Sequence, residues 1–336
     1  MTIQEIKVGN TSIGGEKTFI IAEIGSNHCQ DIQLAYETID AAVEAGADAV
    51  KFQSLNLDKL YLNPSQEIID LHAKIDFPEE WHLILKQYCD KKGIIFFSSP
   101  TYLSAVTIME DINVPLYKLA SAQIGTFPQL IEKTAKTNKP VILSTGLADY
   151  SQIQKVIRIF KKYGNDKYII LHCNSLYPTP YQKVNLGLMN VYSKMFQCIT
   201  GFSDHTKENH VCVAAVALGA KVIEKHITLK RNLPSPDAPL AIEPNEFSDL
   251  VKSIRDVELS LKFTPRLELE HDELKFKKRI LYKPIFNSSK KKGENINLED
   301  FEFKRTPLGE IDANTFYEKT FPFFAEREYG EGEIFE

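Results

Sequence analysis

Eight short β-branched or apolar runs recur along the chain, each followed by a longer segment of helical period, and this alternation restricts the fold more than any other feature. The runs are FIIAEIG (19–25), AVKFQS (49–54), IIFFSSP (94–100) and LYKLAS (116–121), then VILSTG (141–146), IILHCNS (169–175), ITGFSDH (199–205) and VIEKHIT (222–228). Between them lie stretches such as IQLAYETIDAAVEAGA and HVCVAAVALGA, with apolar residues three and four apart and Gly near the C-terminal end. Strand–helix alternation predicts a parallel sheet, because each right-handed crossover needs a helix. Eight units over about 245 residues match an α/β protein of the (β/α)₈ TIM-barrel class. A doubly wound open sheet is the alternative. It needs a glycine-rich phosphate fingerprint after the first strand, and the turn there is GSNHCQ, without GxGxxG.

The ends of the chain depart from the alternation. Residues 1–18 read as a hairpin able to plug the barrel bottom, and 19–263 as the barrel. Residues 264–279, TPRLELEHDELKFKKR, are charged and barely periodic and read as a linker. Residues 280–336 carry short strands and turn signals and predict a compact β-rich domain, marginal in size and expected to dock on something. The triple lysine 290–292 reads as a solvated turn rather than a nucleic-acid patch.

Charge and thiols narrow the setting. With 40 Lys and Arg against 45 Asp and Glu, the formal net charge of −5 gives no global attraction to nucleic acid or anionic lipid. No run approaches the roughly 18 apolar residues of a membrane span, and the N-terminus lacks a signal-peptide layout. Five cysteines (Cys29, Cys89, Cys173, Cys198, Cys212), an odd number without a CxxC pair, read as reduced thiols. The expectation is a soluble cytoplasmic protein.

In barrel enzymes chemistry sits at the C-terminal ends of the strands. Here those ends hold Glu23, Lys51 and Gln53, Ser98 and Ser99, Lys118, Ser121 and Gln123. They continue with Ser144 and Thr145, His172, Asn174 and Ser175, Ser203 and His205, then Glu224 and His226. The strand interiors are otherwise Val, Ile, Leu and Phe, so polar residues at all eight ends mark a candidate site.

His205 and His226 end neighbouring strands, where two imidazoles can hold a catalytic Mn²⁺ or Zn²⁺ with positions left for water and substrate. The bland alternative is that each hydrogen-bonds a nearby loop. Asp204 is a candidate orienter for His205. Lys51, Lys118, Ser121, Ser144 and Ser203 suit an anion with several oxygens, such as a phosphate joined to a carboxylate. A desolvated Lys118 acting as a Schiff-base nucleophile is the competing use, and spacing does not separate the two.

The segment IIAEIGSNHCQDIQLAYETIDAAVEAGADAVKFQ resembles the opening of the sialic acid synthase family, enzymes that make nonulosonic acids from phosphoenolpyruvate. FFSSP, YKLAS, ILSTG, LHCNSLYPTPY, GFSDHT, ALGAKVIEKHITL and PSPD resemble its later blocks in order, and KKGENINLEDFEFKR resembles its antifreeze-like SAF domain. The resemblance implies that His205 and His226 hold a divalent ion, usually Mn²⁺, with Mg²⁺ or Co²⁺ as substitutes. It implies that Lys51, Ser99, Lys118, Ser121, Ser144 and Ser203 hold phosphoenolpyruvate. Glu23 matches the active-site carboxylate and Gln53 a neighbouring polar contact. Ser175, Tyr177 and Asp237 match positions that meet the acceptor sugar, and Arg305 an arginine delivered from the partner subunit of a swapped homodimer. The implied reaction joins C3 of phosphoenolpyruvate to the aldehyde of an N-acetylated amino sugar, releasing phosphate and a nine-carbon 2-keto acid.

Three blocks depart from the usual family pattern, all on the sugar side: Gln123 where many members have Glu, Pro234-Ser235-Pro236 in place of Pro-Gly-Pro, and HCNS at 172–175. They leave the acceptor open between N-acetylmannosamine and a di-acetamido hexose. A pyruvate aldolase using Lys118, and a non-catalytic carbohydrate-binding or ice-binding protein, are the alternatives in other classes.

Overall fold

The structure, a computed structural model, describes residues 4–336. It divides into two compact units, one reaching to Lys262 and the other spanning Phe263–Glu336. In the first, a hairpin of β1 (Ile6–Val8) and β2 (Thr11–Ile13) precedes eight further strands. These are β3 (Phe19–Gly25), β4 (Ala49–Ser54), β5 (Ile95–Pro100), β6 (Tyr117–Leu119), β7 (Val141–Ser144), β8 (Tyr168–Cys173), β9 (Ile199–Asp204) and β10 (Val222–His226). Each of the eight expected runs overlaps one of them, and only β8 begins outside its run, one residue early at Tyr168.

The lateral order is β5-β4-β3-β10-β9-β8-β7-β6, and every ladder in it is parallel. β5 and β6, at the two ends of that order, lie against each other. The sheet therefore curls into the (β/α)₈ barrel that the alternation predicts. The helices between strands start where the sequence offers caps: Asp31 accepts from Gln33 N before Ile32–Glu44, and Asp149 with Gln152 makes a capping box before Tyr150–Lys162.

Alternate residues of each strand face the barrel axis and the helix layer. The axial set Phe19, Ile21, Ala49, Phe97, Leu116, Ile142, Ile169, Leu171, Ile199 and Val222 forms one buried cluster with Val8 and Ile13 of the hairpin. The intervening residues, among them Ile20, Val50, Phe52, Phe96 and Tyr117, pack outward with Ile39, Leu85, Val106 and Phe160 of the helices. Each fully buried side chain of this size contributes about 1.5–3 kcal/mol of transfer free energy. Gly201 stands on the axial face of β9, where an added Cβ would meet the Val222 carbonyl and lie 2.7 Å from Leu171 Cδ2. The bottom of the barrel is thus filled with hydrocarbon.

The second unit has its own core of Phe286, Ile296, Phe301, Phe316, Ala325, Tyr329 and Phe335. Around it β11 (Tyr282–Phe286) pairs antiparallel with β13 (Phe301–Arg305), and β12 (Asn295–Ile296) with β14 (Phe323–Phe324). The stretch read as a linker departs from expectation, since His271–Ile280 is helical. Its start is closed by a capping box of Glu270 and Glu273, and Lys277, Lys278 and Arg279 in the last turn complement the helix dipole. End effects, not an apolar stripe, carry that helix. Among the described residues no helix is long and apolar enough to cross a membrane.

Candidate active site

One step beyond the hydrocarbon layer, the axial positions turn polar. Continuing the period of two, they are Glu23, Lys51, Ser99, Lys118, Ser144, Cys173, Ser203 and Glu224, all buried. A further step brings Gln53, His205 and His226. The strand register sets the neighbours: His226 pairs with Glu23, Glu23 with Lys51, Gln53 with Ser99, and Glu224 with Ser203.

Two lysines meet on one carboxylate here. Lys118 Nζ donates to both oxygens of Glu224 at 2.7 Å. Lys51 Nζ lies 3.5 Å from Glu224 Oε1 and 2.8 Å from Glu23 Oε2, and it donates to Ser99 Oγ at 3.4 Å. Ser203 Oγ donates to Glu224 Oε1 at 3.1 Å, and Gln53 Nε2 donates to Glu23 Oε1 at 2.7 Å. Burial opposes the charge on Glu224, but Lys118 and Lys51 overcome it and hold its carboxyl at about 2. Burial also pulls Lys118 below the ordinary lysine range despite Glu224; burial opposes the charge on Lys51 too, but there Glu224 and Glu23 together outweigh it and hold the amine above that range. Two cations balanced by two carboxylates keep the buried cluster neutral.

Beside them is a cradle of small polar groups. Gly146 N donates to Ser121 Oγ at 3.0 Å, and Ser121 Oγ lies 3.2 Å from Cys173 Sγ. A Cβ on Gly146 would stand 2.5 Å from Ser175 Oγ and 3.0 Å from Ser121 Oγ, so only glycine leaves this space open. Ser144 Oγ is buried with no partner, as is Gln123 Oε1. A buried hydroxyl without a partner costs free energy, and a bound oxyanion satisfies it.

The two histidines stand with ring centroids 5.6 Å apart. His205 Nδ1 is 2.6 Å from the Asn174 carbonyl, so Nδ1 carries the proton and Nε2 keeps its lone pair. Burial, then the neighbouring His226, lowers the His205 pKa to about 4, which leaves it neutral and able to ligate. His226 Nδ1 is buried without a partner. No group of three or more His, Cys, Asp or Glu side chains is placed to hold an ion among the described residues. With a lone pair on His205 Nε2 and His226 Nδ1 unpartnered, these two imidazoles could hold an ion whose remaining positions go to water and substrate. The Tyr177 ring packs on His205 at 4.2 Å between centroids. Asp237 accepts from Ser26, and burial is outweighed by His226 and Ser26 in keeping its carboxyl below the usual range.

Period-two geometry also removes several expected members. Ser98 faces the helix layer, bonded to Ser54 Oγ at 2.8 Å, which in turn meets His82 Nε2 at 2.8 Å. His172 also faces outward, with Nε2 on the Val184 carbonyl and its ring beside Tyr192 and Phe202. Thr145 Oγ1 is spent on the Leu171 carbonyl. Asp204 does not orient His205. Adjacent strand residues point to opposite faces, and Asp204 binds Lys225 at 2.8 Å on the outside, while the Asn174 carbonyl orients the imidazole. Glu224 is the reverse case, a strand-end carboxylate without an assigned role that turns out to hold both lysines. Its place two residues before His226 on one strand was the available signal. Arg305 belongs to the second unit, exposed at the end of β13 with its guanidinium 5.1 Å from the Tyr282 ring centroid.

Residues 38–264 match the family model described as the NeuB family. An uncharacterized protein of Methanocaldococcus jannaschii is 40% identical over 310 residues, covering 91% of this chain and 90% of that one. N,N'-diacetyllegionaminic acid synthase of Campylobacter jejuni is 33% identical over 338 residues, covering 95% of this chain and 99% of the relative. Among solved structures, the N-acetylneuraminic acid synthetase of Leptospira borgpetersenii, in complex with citrate, superposes with a TM-score of 0.74 at 35% identity, over 82% of this chain and 96% of that one.

Proposed function

The chain belongs to the NeuB family, and from that premise we propose that it is a nonulosonic acid synthase, joining phosphoenolpyruvate to the aldehyde of an N-acetylated amino sugar. C3 of phosphoenolpyruvate forms the new bond to the aldehyde carbon, and the aldehyde oxygen takes up a proton. Water then adds at C2, the C2–O bond to phosphorus breaks, and phosphate leaves with the 2-keto acid behind. Relatives covering nearly the whole chain carry synthase names, which favours this reading over a Schiff-base lyase at Lys118 or a non-catalytic carbohydrate-binding protein.

The observation that carries the reading is the convergence of Lys51 and Lys118 on Glu224 at the barrel mouth that also holds His205 and His226. Lys51, Lys118, Ser99, Ser121, Ser144 and Ser203 bind the phosphate and carboxylate of phosphoenolpyruvate. Lysine brings charge and serine brings short donors, and both are held before the substrate arrives. Glu23, kept oriented by Gln53, is placed to take a proton from the attacking water. His205 and His226 hold a divalent ion, Mn²⁺ by preference, and a bound ion supplies Lewis acidity toward the sugar aldehyde. Gln123, Ser175, Tyr177 and Asp237 line the acceptor half. Residues 280–336 form the antifreeze-like SAF domain, which in a swapped homodimer delivers Arg305 to the neighbouring mouth. An odd number of cysteines without a CxxC pair favours a reducing, cytoplasmic setting.

The relatives are named for different sugars, legionaminic and N-acetylneuraminic acid, so the acceptor is the open variable. The test is a panel of amino sugars with phosphoenolpyruvate and Mn²⁺, Mg²⁺ or Co²⁺, reading phosphate release. Turnover with N-acetylmannosamine or a di-acetamido hexose supports the proposal. Inactivation by borohydride with pyruvate, without any use of phosphoenolpyruvate, overturns it in favour of a Schiff-base lyase.

A further inference from the structure

Two loops meet over the mouth through a closed ring of hydrogen bonds. Ser26, just after β3, gives its N–H at 3.0 Å and its hydroxyl at 2.7 Å to Asp237 Oδ2. Ser235 Oγ lies 2.9 Å from Ser26 Oγ. Because the single Ser26 hydroxyl proton goes to the carboxylate, the proton of the serine pair comes from Ser235. Asp237 N–H donates in turn to Ser235 Oγ at 3.2 Å and closes the ring. Ser26 and Ser235 are 3% and 5% exposed, so water does not compete for these bonds.

The ring fastens one carboxylate oxygen only. Among the described residues Asp237 Oδ1 has no hydrogen-bond partner, while Oδ2 carries both bonds from Ser26. Gly25 makes the approach possible. Its φ of +53° suits glycine, and a Cβ there would stand 2.6 Å from Asp237 Oδ2 and 3.3 Å from Gln53 Nε2. A carboxylate with one oxygen locked and the other open acts as a directed acceptor, and a directed acceptor recognises a hydroxyl or an amide N–H.

We infer that Ser26 and Ser235 are positioning residues that lock Asp237 Oδ2 and so aim Oδ1 at one donor of the acceptor sugar. This rests on the proposed reaction and on the acceptor half including Asp237. It makes the serine at position 235 a working part of acceptor recognition in this chain, because a glycine there has no hydroxyl to close the ring. Removing either hydroxyl leaves Asp237 charged but free to turn, so acceptor binding weakens while phosphoenolpyruvate binding, which uses neither of these serines nor Asp237, does not change.

The experiment is steady-state kinetics of Ser26→Ala, Ser235→Gly, Asp237→Asn and the Ser26→Ala/Asp237→Asn double variant, with N-acetylmannosamine and a di-acetamido hexose as the acceptors. Each serine variant is expected to raise the acceptor KM by about tenfold, the scale of one hydrogen bond to a charged group, with the phosphoenolpyruvate KM within about twofold of wild type. The double variant is expected to match Asp237→Asn alone, because the serines act through that carboxylate. The unchanged phosphoenolpyruvate KM also reports a folded barrel, and the two serine variants, in separate loops, check each other. If both serine variants leave the acceptor KM unmoved while Asp237→Asn raises it, the clamp is wrong and the acceptor assignment stands. Serine effects that add fully to Asp237→Asn likewise refute the clamp. An Asp237→Asn protein with an unchanged acceptor KM removes Asp237 from the acceptor half and the inference with it.

Discussion

Asp204 and Lys225 form an ion pair at 2.8 Å on the outer face of β9 and β10, and each immediately precedes one of the two mouth histidines. Their side chains are 0% and 1% exposed. Lys225 Nζ also donates to the Thr206 carbonyl, Asp204 Oδ1 accepts from Thr206 N at 2.8 Å, and Cys212 Sγ lies 3.1 Å from Asp204 Oδ2. The chain on both sides of His205 is therefore tied to the residue before His226.

Breaking this pair from one side strands a buried charge. Lys225→Met or Asp204→Leu is expected to lower stability by about 3–5 kcal/mol. The double variant Asp204→Leu/Lys225→Met is expected to regain part of that loss, because it leaves no unpaired charge. Denaturant unfolding of the four proteins checks this. Single variants as stable as wild type are incompatible with the account.

The histidine pair makes its own prediction. In the ion site proposed above the protein supplies only two imidazoles, so His205→Ala or His226→Ala would remove half of its ligands. Chelation, and either substitution, is expected to cut activity by about a hundredfold or more. Mn²⁺ titration followed by calorimetry is expected to show weakened binding in both variants. Wild-type Mn²⁺ affinity in either one would exclude that residue as a ligand.

Stability should depend on acid through buried imidazoles. His28 is enclosed by Phe52, Phe77 and Trp81, with Trp81 at 5.5 Å between centroids. Burial, partly offset by Asp237, lowers its pKa from 6.5 to about 4. Burial lowers His82 and His172 as well. Between about pH 6.5 and 4 the unfolded chain binds the His28 proton and the folded one does not, so stability is full above that window and falls as pH drops through it. His28 alone accounts for about 3 kcal/mol across the window. Denaturant melts at several pH values check this, and His28→Gln is expected to flatten the slope. A melt that does not change from pH 7 to 4.5 would contradict it.

The barrel was legible because apolar runs and helical periods alternate eight times, and each run overlaps one strand of the observed order. The polar strand ends were legible as a class, since hydrocarbon strands seldom end in lysine, glutamate and histidine together. Their facing was not. Ser98 and Ser99 are neighbours in sequence, yet one bonds Ser54 outside the barrel and the other meets Lys51 inside it. Sorting them needs the phase of the period-two pattern, which the apolar axial residues Phe97, Leu116 and Ile142 supply once strand registers are known. The same phase turns Asp204 outward to Lys225 and gives Glu224, a strand-end residue without an assigned role, its place between the two lysines. The ring of Ser26, Ser235 and Asp237 joins residues about 210 positions apart. No local pattern carries it. The helix His271–Ile280 was missed because its signal lies in its caps rather than in an apolar stripe.

The final prediction concerns Arg305, which sits at the end of β13 in a unit with its own aromatic core. A planar guanidinium keeps its charge and can bond two oxygens at once, which suits recognition of a sugar or a carboxylate. Its stacking on Tyr282 at 5.1 Å restrains the side chain while leaving it exposed. Arg305→Ala is therefore expected to raise the acceptor KM by about tenfold to a hundredfold while sparing Mn²⁺ and phosphoenolpyruvate binding. In the swapped homodimer proposed above, each mouth takes its arginine from the other chain. Mixing His205→Ala protein with Arg305→Ala protein then creates heterodimers in which one mouth has two intact histidines. That mouth also receives its arginine from the His205→Ala chain, which carries an intact Arg305. At an acceptor concentration well below the raised KM, where Arg305→Ala protein alone is nearly silent, activity should return toward the fraction of such mouths, about a quarter of all sites when subunits exchange freely in equal amounts. Subunit exchange is verified by mass spectrometry of differently tagged chains. Exchange without any recovery of phosphate release would mean that Arg305 serves its own chain's mouth or none.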